Sequence, residues 1–377
     1  MAKVRLATTQ VPFVDLEPVH RDLKTPILTD WDALIETGAF VNGAAVAAFE
    51  ASFAEYCRVR FCVGLSNGLD ALRLGLLAAG IERGEEVIVP ANTFVATLEA
   101  VTQAGGKPVP VDVSDVDYNL DVDAVEAAVT PRTRFIVPVH LYGQMADMGA
   151  LERLAARHGI ELIEDACQAH GAERDGRRAG ATGLAAAFSF YPAKNLGAMG
   201  DAGALVSAGD DLASRVRAMR EHGQVAKYRH ELEGFTARLD TIQAIVLMHK
   251  LPLLDGWNEE RREAARFYDT ALDGVGDLLL PPTAPGSVPV WHLYVIRTRD
   301  PERLHTFLAQ RQIGTGRHYP EPVHLTAAYS WLGYARGAFP VAESLAQEVL
   351  SLPMYPGISQ LQLEAVVDAV GEYFVHG

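Results

Sequence analysis

The chain has 377 residues, of which 49% are hydrophobic and 21% charged, a composition that excludes a disordered or collagen-like protein and leaves room for two domains. Its 33 Lys and Arg residues stand against 48 Asp and Glu residues, so the formal net charge is −15. An acidic surface repels nucleic acid and anionic membranes. Because no local basic groove is visible in the sequence, we expect neither nucleic acid nor a membrane as a partner.

The cysteine and histidine residues give no sign of a metal centre. Cys57, Cys62 and Cys167 cannot form a closed set of disulfides, and their spacing fits no zinc motif. There is no HExxH motif, and His140, at the end of a predicted strand, is expected to be a hydrogen-bonded interior histidine. No apolar run is long enough for a signal peptide or a membrane span, so the sequence predicts a cytoplasmic protein with reduced thiols.

Short apolar runs alternate with longer amphipathic runs from about residue 60 to residue 210. The apolar runs predict strands at 61–65, 86–90, 108–112, 135–140, 161–165, 186–190 and 204–208. The amphipathic runs predict helices at 68–79, 93–104, 121–129 and 147–158. Strands that alternate with helices of this length form βαβ units. The predicted fold class is therefore α/β, with a mostly parallel central sheet between helices.

A second region with a different pattern begins near residue 240, and we place the domain boundary near residue 250. The helical pattern of 242–272 contains Pro252, which must kink or split it, and a Pro-rich turn, a strand, a helix, loops and an amphipathic C-terminal helix follow. We expect a large domain at 1–250 and a smaller α+β domain at 251–377. The N-terminal segment 1–40 is expected to pack on either of them.

A glycine-rich loop after the strand predicted at 186–190 carries a lysine in a setting suited to chemistry. Lys194 lies among Pro192, Asn195 and three glycines, so the loop cannot continue as a helix. A lysine aimed into a cleft from a rigid strand end can form a Schiff base. The glycine spacing is GxxGxxG ahead of a strand, which disfavours a dinucleotide-binding loop. Because an isolated loop lysine is usually just solvated, this interpretation depends on other residues.

Asp165 ends the strand predicted at 161–165, upstream of Lys194. A carboxylate at the carboxyl end of a parallel strand lies where such sheets bind ligands. In an enzyme that uses pyridoxal phosphate (PLP), an aspartate there pairs with the pyridine nitrogen and keeps it protonated. Gln168, three residues further on, is placed to reach the ring hydroxyl. The alternative for Asp165 is an ordinary helix N-cap.

Two further segments offer groups for a phosphate and for a flat ring. The first predicted strand leads through Ser66, Asn67 and Gly68 into a helix, whose free N–H groups and dipole suit a phosphate. Ser189, beside the lysine loop, is a second hydroxyl candidate. Phe94 follows the second predicted strand, where its ring can lie over a flat cofactor. Taken singly, a capped helix and a core phenylalanine are the commoner outcomes.

In this order, the segments resemble the DegT/DnrJ-type sugar-nucleotide aminotransferases, which are PLP enzymes of the aspartate-aminotransferase fold (fold type I). The likeness runs from the segment 11–16 to the segment 339–356. It implies that Lys194 is the Schiff-base lysine, Asp165 the partner of the pyridine nitrogen and Gln168 the contact to the ring oxygen. It also implies cofactor contacts from one stacking ring and from a phosphate cup, namely Phe94, Ser66, Asn67, Gly68 and Ser189.

One position departs from the pattern of this family. The family reads G-aromatic-N-x-R-L-D, and its Asn reaches the cofactor phosphate of the neighbouring subunit. Here the segment runs from Gly234 to Asp240 with Thr236 at the Asn position. A threonine hydroxyl is shorter, so the cross-subunit contact is lost, bridged by water or taken over by another group. The resemblance still implies a homodimer with active sites at the interface and Thr236 near the cofactor.

The resemblance also indicates substrate contacts and an activity. The segments 222–234 and 316–325 match regions that line the sugar-nucleotide site in the family. The candidate substrate contacts are Tyr228, Arg238, His318 and Tyr319. The implied reaction moves an amino group from L-glutamate to a keto-sugar nucleotide in two halves, with the Lys194 amine moving the proton in each.

The lysine loop predicts where the sugar is aminated. From Lys194 to Ala204 it reads KNLGAMGDAGA, the form typical of family members that aminate C-3, whereas C-4 enzymes more often resemble KTxTTGEGG. We therefore expect a dTDP-3-keto-6-deoxyhexose as acceptor, in natural-product or cell-surface glycan biosynthesis.

Three other functions remain open. One is a C-4 keto-sugar-nucleotide aminotransferase. A second is a PLP-dependent sugar dehydratase, whose branch has His in place of the lysine, so that Lys194 argues against it. The third is a non-enzymatic regulator on the same fold, which the intact set of Lys194, Asp165 and Gln168 disfavours.

Overall fold

The structure, a computed structural model, describes residues 10–376, and a seven-stranded sheet forms its centre. The order of strands across that sheet is β1-β9-β8-β5-β4-β2-β3. All of them run parallel except β9, which pairs antiparallel with β1 and β8. The predicted α/β class with a mostly parallel sheet is confirmed.

The elements have the following bounds. The strands are β1 (Phe61–Leu65), β2 (Glu86–Pro90), β3 (Lys107–Val111), β4 (Thr133–Ile136), β5 (Glu161–Asp165), β6 (Glu173–Arg174), β7 (Arg177–Arg178), β8 (Ala185–Ser189), β9 (Gly203–Ser207), β10 (Gln224–Ala226), β11 (Arg229–His230), β12 (Ser287–Val288), β13 (Tyr294–Arg297) and β14 (Val349–Leu352). The α-helices are α1 (Lys24–Thr37), α2 (Ala44–Tyr56), α3 (Gly68–Ala78), α4 (Ala96–Gln103), α5 (Val122–Ala128), α6 (Met148–His158), α7 (Asp210–Arg220), α8 (Thr241–Lys250), α9 (Leu254–Leu272), α10 (Pro301–Ala309), α11 (Pro340–Glu348) and α12 (Gln360–His376).

Both faces of the central sheet are buried, which explains why its strands are almost continuously apolar. Along β2, Ile88 packs into one hydrophobic cluster while Val87 and Val89 pack into another. In β5, Leu162 and Ile163 divide between the same two clusters. Helices α2, α6 and α8 cover the first face, and α3, α4 and α7 cover the second. The layers leave the carboxyl edge of the sheet as the place where loops can build a site.

Two elements are shorter in the structure than the sequence predicted, and both differences affect the carboxyl edge of the sheet. The strand predicted at 135–140 ends at Ile136, because Pro138 has no N–H to donate and only an isolated bridge joins Val139 to β5. The helix predicted at 93–104 begins only at Ala96. Phe94 therefore lies in the turn between β2 and α4.

The chain beyond α8 has a hydrophobic cluster of its own. Pro252 lies in a short 3₁₀ turn that separates α8 from α9, so the predicted break of the long helix is observed. Helices α9, α10 and α12 pack around β13 and β14, with Tyr268 and Tyr294 at the centre of the cluster. Val11 joins the same cluster and forms a bridge with Ile313, whereas α1 lies against α8. The N-terminal segment thus contacts both parts of the chain.

A membrane span and a disulfide are both absent from the described residues. No helix within residues 10–376 has the length and apolar character that crossing a membrane requires. Cys57, Cys62 and Cys167 are all free thiols.

A buried polar pair anchors the middle of the sheet. His140 Nε2 lies 2.7 Å from Glu164 Oε2, and both side chains are fully buried. The Glu164 carboxylate also accepts the backbone N–H groups of Gly180 and Thr182, at 3.0 and 2.9 Å. His140 Nδ1 accepts the N–H of Ala146. Both ring nitrogens of His140 are therefore satisfied, as expected for an interior histidine.

We expect Glu164→Ala to lower the free energy of unfolding by about 3–5 kcal/mol, because it leaves three buried donors without an acceptor. Chemical denaturation measures the change. Glu161→Ala, at the half-buried start of the same strand, is the matched control and should cost less than about 1 kcal/mol. Equal losses in the two variants would contradict the structural role of the pair.

Candidate active site

Asp165 ends β5 as a buried carboxylate at the carboxyl edge, 8% exposed. Its Oδ2 accepts the hydroxyl of Thr97 at 2.8 Å, and its Oδ1 accepts the N–H of Cys167 at 3.2 Å. Within the described residues it forms no salt bridge with a Lys or Arg side chain. The chain continues as a turn, so Asp165 caps no helix. Burying a carboxylate that has no salt bridge costs free energy. Asp165 is therefore suited to bind a positively charged group.

Lys194 lies in the loop between β8 and β9, close to Asp165. Its backbone N–H donates to Tyr191 O, and Ala198 N–H donates to Phe190 O, so the loop is closed on itself. Burial lowers the pKa of the Lys194 amine, and the neighbouring Cys167 and Asp165 oppose that shift. A lowered pKa increases the fraction of free amine, which is the nucleophilic form that a Schiff base requires.

Gln168 is held in one orientation by the backbone. Its Oε1 accepts the N–H of Tyr142 at 2.8 Å, so its Nε2 must be the donor, and it donates to Tyr319 Oη at 3.2 Å. The Tyr142 hydroxyl in turn donates to His318 O. Burial raises the pKa of Tyr319, so its hydroxyl keeps its proton at neutral pH. The side chain of Gln168 therefore presents a hydrogen-bond donor on the same side as Tyr319.

Phe94 is an exposed aromatic ring at this edge, with 52% of the residue accessible. Its ring centroid lies 5.6 Å from that of Tyr319, with the planes tilted by 34°. Since Tyr319 also contacts Gln168, the structure brings these three predicted residues together. A ring left exposed beside polar groups is available to stack on a flat ligand.

The start of α3 presents free backbone donors. Asn67 caps the helix by accepting Asp70 N–H at 2.7 Å, while the N–H groups of Gly68 and Leu69 have no acceptor among the described residues. The hydroxyl of Ser66 donates to Asp70, so this predicted phosphate contact is engaged within the chain. Free N–H groups at a helix start favour an anion.

Gly68 also packs tightly against Cys167 and Ser189 at the carboxyl edge of the sheet. A Cβ at this position would lie 2.7 Å from both Cys167 Sγ and Ser189 Cβ. The cradle between α3 and β8 is therefore open only because the residue is glycine.

His318 is held mainly by its own neighbours. Its Nδ1 lies 2.8 Å from Ser351 Oγ, and its ring stacks on Phe13 at 5.6 Å. Burial, together with the positive charge of Lys194, lowers the pKa of His318 to about 4, so the ring is neutral at physiological pH.

Three predicted residues do not contact Lys194 within one chain. Tyr228 is 81% exposed at the turn between β10 and β11. Arg238 donates to Glu221 at 2.7 Å, and Thr236 Oγ1 lies 3.2 Å from His222 Nε2. Their segment nevertheless runs beside the start of α3, where a backbone hydrogen bond of 3.1 Å joins Ala237 O to Ser66 N–H.

Several residues that shape the site were not predicted from the sequence. Thr97 donates to Asp165 from α4, and Tyr142 orients Gln168 with a backbone N–H at a positive φ of 57°. Lys250 is almost fully buried, and its Nζ donates to Gly197 O in the lysine loop at 2.6 Å. Each contact joins residues far apart in the chain. A weak signal existed only for Thr97, which lies one helical turn after Phe94.

Comparisons with known proteins agree with this geometry. A model of the DegT/DnrJ/EryC1/StrS aminotransferase family matches residues 22–371. The chain belongs to this family. The dTDP-3-amino-3,4,6-trideoxy-alpha-D-glucose transaminase of Streptomyces venezuelae is 46% identical, over 98% of this chain and 97% of its own. The erythromycin biosynthesis sensory transduction protein EryC1 of Saccharopolyspora erythraea is 48% identical, over 95% of this chain and 98% of its own.

The likeness extends to three dimensions. The crystal structure of S. venezuelae DesV in complex with a ketimine intermediate matches with a TM-score of 0.96 at 45% identity, covering 98% of this chain and 100% of that one. The family resemblance, the aminotransferase activity and the PLP cofactor predicted from the sequence are confirmed.

The residues at the carboxyl edge fit PLP. Asp165 supplies a buried negative charge that a protonated pyridine nitrogen would complement. Lys194 supplies an amine of lowered pKa. The unused N–H groups of Gly68 and Leu69 suit the phosphate, and the cradle at Gly68 would be filled by any Cβ.

Borohydride reduction of the holoenzyme should leave a pyridoxyl group on Lys194, which peptide mapping by mass spectrometry locates. Lys250 is the informative competitor, because it is buried as well and burial lowers its pKa to about 8. Lys194→Ala should abolish the label, while Lys250→Met should keep it. A label on Lys250, or on the exposed Lys227, would contradict the assignment.

Proposed function

We propose that this aminotransferase transfers an amino group from L-glutamate to C-3 of a dTDP-3-keto-6-deoxyhexose and serves amino-sugar formation in natural-product or cell-surface glycan biosynthesis. The observation that carries the proposal is the likeness, over nearly the whole chain, to a transaminase named for a dTDP-3-amino sugar. The loop from Lys194 to Ala204, with the form expected of C-3 enzymes, supports the same position of amination.

Lys194 has two tasks in this proposal. Its amine would hold the cofactor covalently and, once free, would be the general base that takes the proton from the α-carbon of the amino donor and the acid that returns it. PLP, when bound, supplies an aldehyde that accepts the amino group and a ring that withdraws electrons from the reacting carbon. The lowered pKa of Lys194 suits the general-base task, because it increases the fraction of free amine.

Asp165 holds the ring nitrogen in its protonated state. Thr97 donates to Oδ2 of the carboxylate and the N–H of Cys167 donates to Oδ1, which fixes the carboxylate in place for this contact. The Thr97 hydroxyl donates to the carboxylate and holds its orientation. Electrostatic stabilisation by a carboxylate fixed in advance needs no reorganisation during the reaction.

The remaining cofactor contacts surround the ring and its phosphate. Gln168 would donate through Nε2 to the ring oxygen, and Phe94 would supply the ring that stacks on the cofactor. The backbone N–H groups of Gly68 and Leu69, with the hydroxyl of Ser189, bind the phosphate. Ser66 and Asn67 complete the proposed phosphate cup, and both side chains also hydrogen bond to Asp70 at the start of α3.

Tyr228, Arg238, His318 and Tyr319 are the proposed substrate contacts. Tyr319 lies beside Gln168 and Phe94, so its hydroxyl is placed for the sugar end of the substrate. His318 stays neutral and is a hydrogen-bond partner, not a cation. The proposed organisation remains a large domain at 1–250 and a small domain at 251–377, and the cytoplasmic location stays a prediction.

Exposed apolar side chains support a homodimer. They surround the start of α8 and are hereafter the α8 patch: Ile35, Phe40, Val41, Met199 and Ile242. Val41 pairs with Asp240 just before α8, and Gln243 hydrogen bonds to the backbone of Met199. Because Met199 belongs to the lysine loop, the patch is continuous with the active site. Contiguous apolar surface of this kind marks an interaction site, and a second copy of the chain is the proposed occupant.

Mixing Lys194→Ala subunits with Tyr228→Asp subunits tests whether Tyr228 serves the partner's site. The acidic side chain would repel a diphosphate, so each homodimer should be nearly inactive. If Tyr228 acts across the interface, each heterodimer contains one intact site, and random mixing restores about a quarter of the wild-type sites. Heterodimers verified by native mass spectrometry that show no recovery would place Tyr228 at the site of its own chain.

The position of amination is tested with matched 3-keto and 4-keto dTDP-sugars and L-glutamate. We expect product from the 3-keto sugar only, because an amine misplaced by about 1 Å already costs roughly 100-fold in rate. NMR of the product locates the new amino group, and Lys194→Ala is the negative control. Amination of the 4-keto sugar alone would show that the C-3 assignment is wrong. A colourless protein that aminates neither sugar would favour the regulatory alternative.

A further inference from the structure

A chain of buried amide and imidazole groups connects the lysine loop to the segment that follows β5. Asn195, the residue after Lys194, donates through Nδ2 to Asn258 Oδ1 and to Val290 O, each at 2.8 Å. Asn258, on α9, donates through Nδ2 to His170 O, also at 2.8 Å. Both amide side chains are buried. His170 is only two residues from Gln168, so the chain spans the two halves of the proposed cofactor site.

The direction of every hydrogen bond in this chain follows from the backbone. The carbonyls of His170 and Val290 are acceptors only, so Nδ2 of Asn258 and Nδ2 of Asn195 must face them. Oδ1 of Asn195 is then left for His292, whose Nδ1 lies 3.2 Å away. An amide oxygen cannot donate, so His292 Nδ1 must carry the hydrogen.

His292 is suited to that role at neutral pH. Burial, and then the positive charge of Lys194, lower the pKa of His292 well below its usual value, so the ring is neutral. A neutral imidazole has one donor and one acceptor nitrogen. With Nδ1 protonated, the sequence of donors is His292 to Asn195 to Asn258 to the His170 carbonyl.

We propose that Asn258 and His292 are positioning residues that fix Lys194, through Asn195, relative to the segment carrying Asp165 and Gln168. This inference rests on the proposed role of Lys194. Both Asn258 and His292 come from the chain beyond α8, whereas Asp165, Gln168 and Lys194 come from the loops of the central sheet. This series of hydrogen bonds therefore makes the distance between the Lys194 amine and the proposed cofactor site depend on how the two parts of the protein pack.

The lysine loop transmits this restraint because it is itself tightly closed. A Cβ on Gly197 would lie 2.2 Å from Pro192 O, so the two ends of the loop are in contact around Lys194. Lys250 holds Gly197 O from the other side. A loop closed in this way moves as a unit when Asn195 loses its partners, and the Lys194 amine moves with it.

The first test measures the half-reaction with L-glutamate, which involves no sugar, by stopped-flow absorbance of the cofactor. Asn258→Leu removes the amide at similar volume and should lower the limiting rate about 10- to 100-fold. The Kd for glutamate should change less than about threefold, because only the proton-transfer geometry is affected. The pH midpoint of the cofactor absorption should also shift, which a general loss of stability would not produce.

Ser207→Ala is the matched structural control. Ser207 is buried, and its hydroxyl donates to Leu184 O at 2.8 Å at the opposite edge of the sheet. This variant should lower the melting temperature and leave the limiting rate and the pH midpoint at their wild-type values. If Asn258→Leu behaves like Ser207→Ala, the positioning role is wrong.

A pair of substitutions at His292 separates positioning from chemistry. His292→Asn retains a donor near the place of Nδ1 and removes Nε2, whereas His292→Leu removes both. We expect His292→Asn to recover most of the rate lost in His292→Leu. Equal impairment would show that Nε2 itself is required, which overturns the proposal.

The tautomer of His292 can be measured without any enzyme activity. In the cofactor-free protein, ¹⁵N NMR of the His292 ring should show a protonated Nδ1 and a bare Nε2. The opposite tautomer would directly contradict the proposed series of hydrogen bonds from His292 to the His170 carbonyl. A wild-type enzyme that fails to react with glutamate would refute the proposed donor alone, since the tautomer and the pH midpoint remain measurable.

Discussion

A carboxylate and an amine, each costly to bury by itself, lie at the same edge of the central sheet. Asp165 forms no salt bridge with Lys or Arg among the described residues, and burial lowers the pKa of Lys194. The parallel strands make this possible, because the carboxyl ends of β1, β2, β5 and β8 open on one side. The pair leaves a negative charge for a cationic ring and an amine for a carbonyl group. Every other feature of the site orients or shields these two groups.

The backbone provides most of that orientation. The N–H of Tyr142 fixes which end of the Gln168 amide faces the cleft, and the carbonyls of His170 and Val290 fix the amides behind the lysine loop. Backbone groups cannot exchange donor for acceptor, so they impose a single direction on the side chains that contact them. Polar side chains satisfied in this way hold one rotamer, which suits a proton transfer that depends on where the base lies.

The sequence predicted those candidate site residues whose positions follow from the local order of strands and helices. Lys194, Asp165 and Gly68 each follow a strand, and the alternation of strands and helices indicated that the strand ends share one edge. The contact of Asn258 had no local signal and that of Thr97 only a weak one, because each joins segments more than sixty residues apart. The resemblance implied a direct phosphate contact for Ser66, which stays a prediction, and in the structure the Ser66 hydroxyl donates to Asp70 in α3. Side-chain competition of this kind depends on packing, which the order of residues alone does not reveal.

The consequence of Thr236 depends on which other groups are available to bind the cofactor phosphate. Two backbone N–H groups at the start of α3, those of Gly68 and Leu69, are unused within the described residues. Donors of this kind are already aligned with the helix dipole and do not depend on the length of a side chain. Thr236 instead contacts His222, close to the exposed hairpin that carries Tyr228. The free N–H groups of Gly68 and Leu69 are therefore phosphate donors that do not depend on the side chain at position 236.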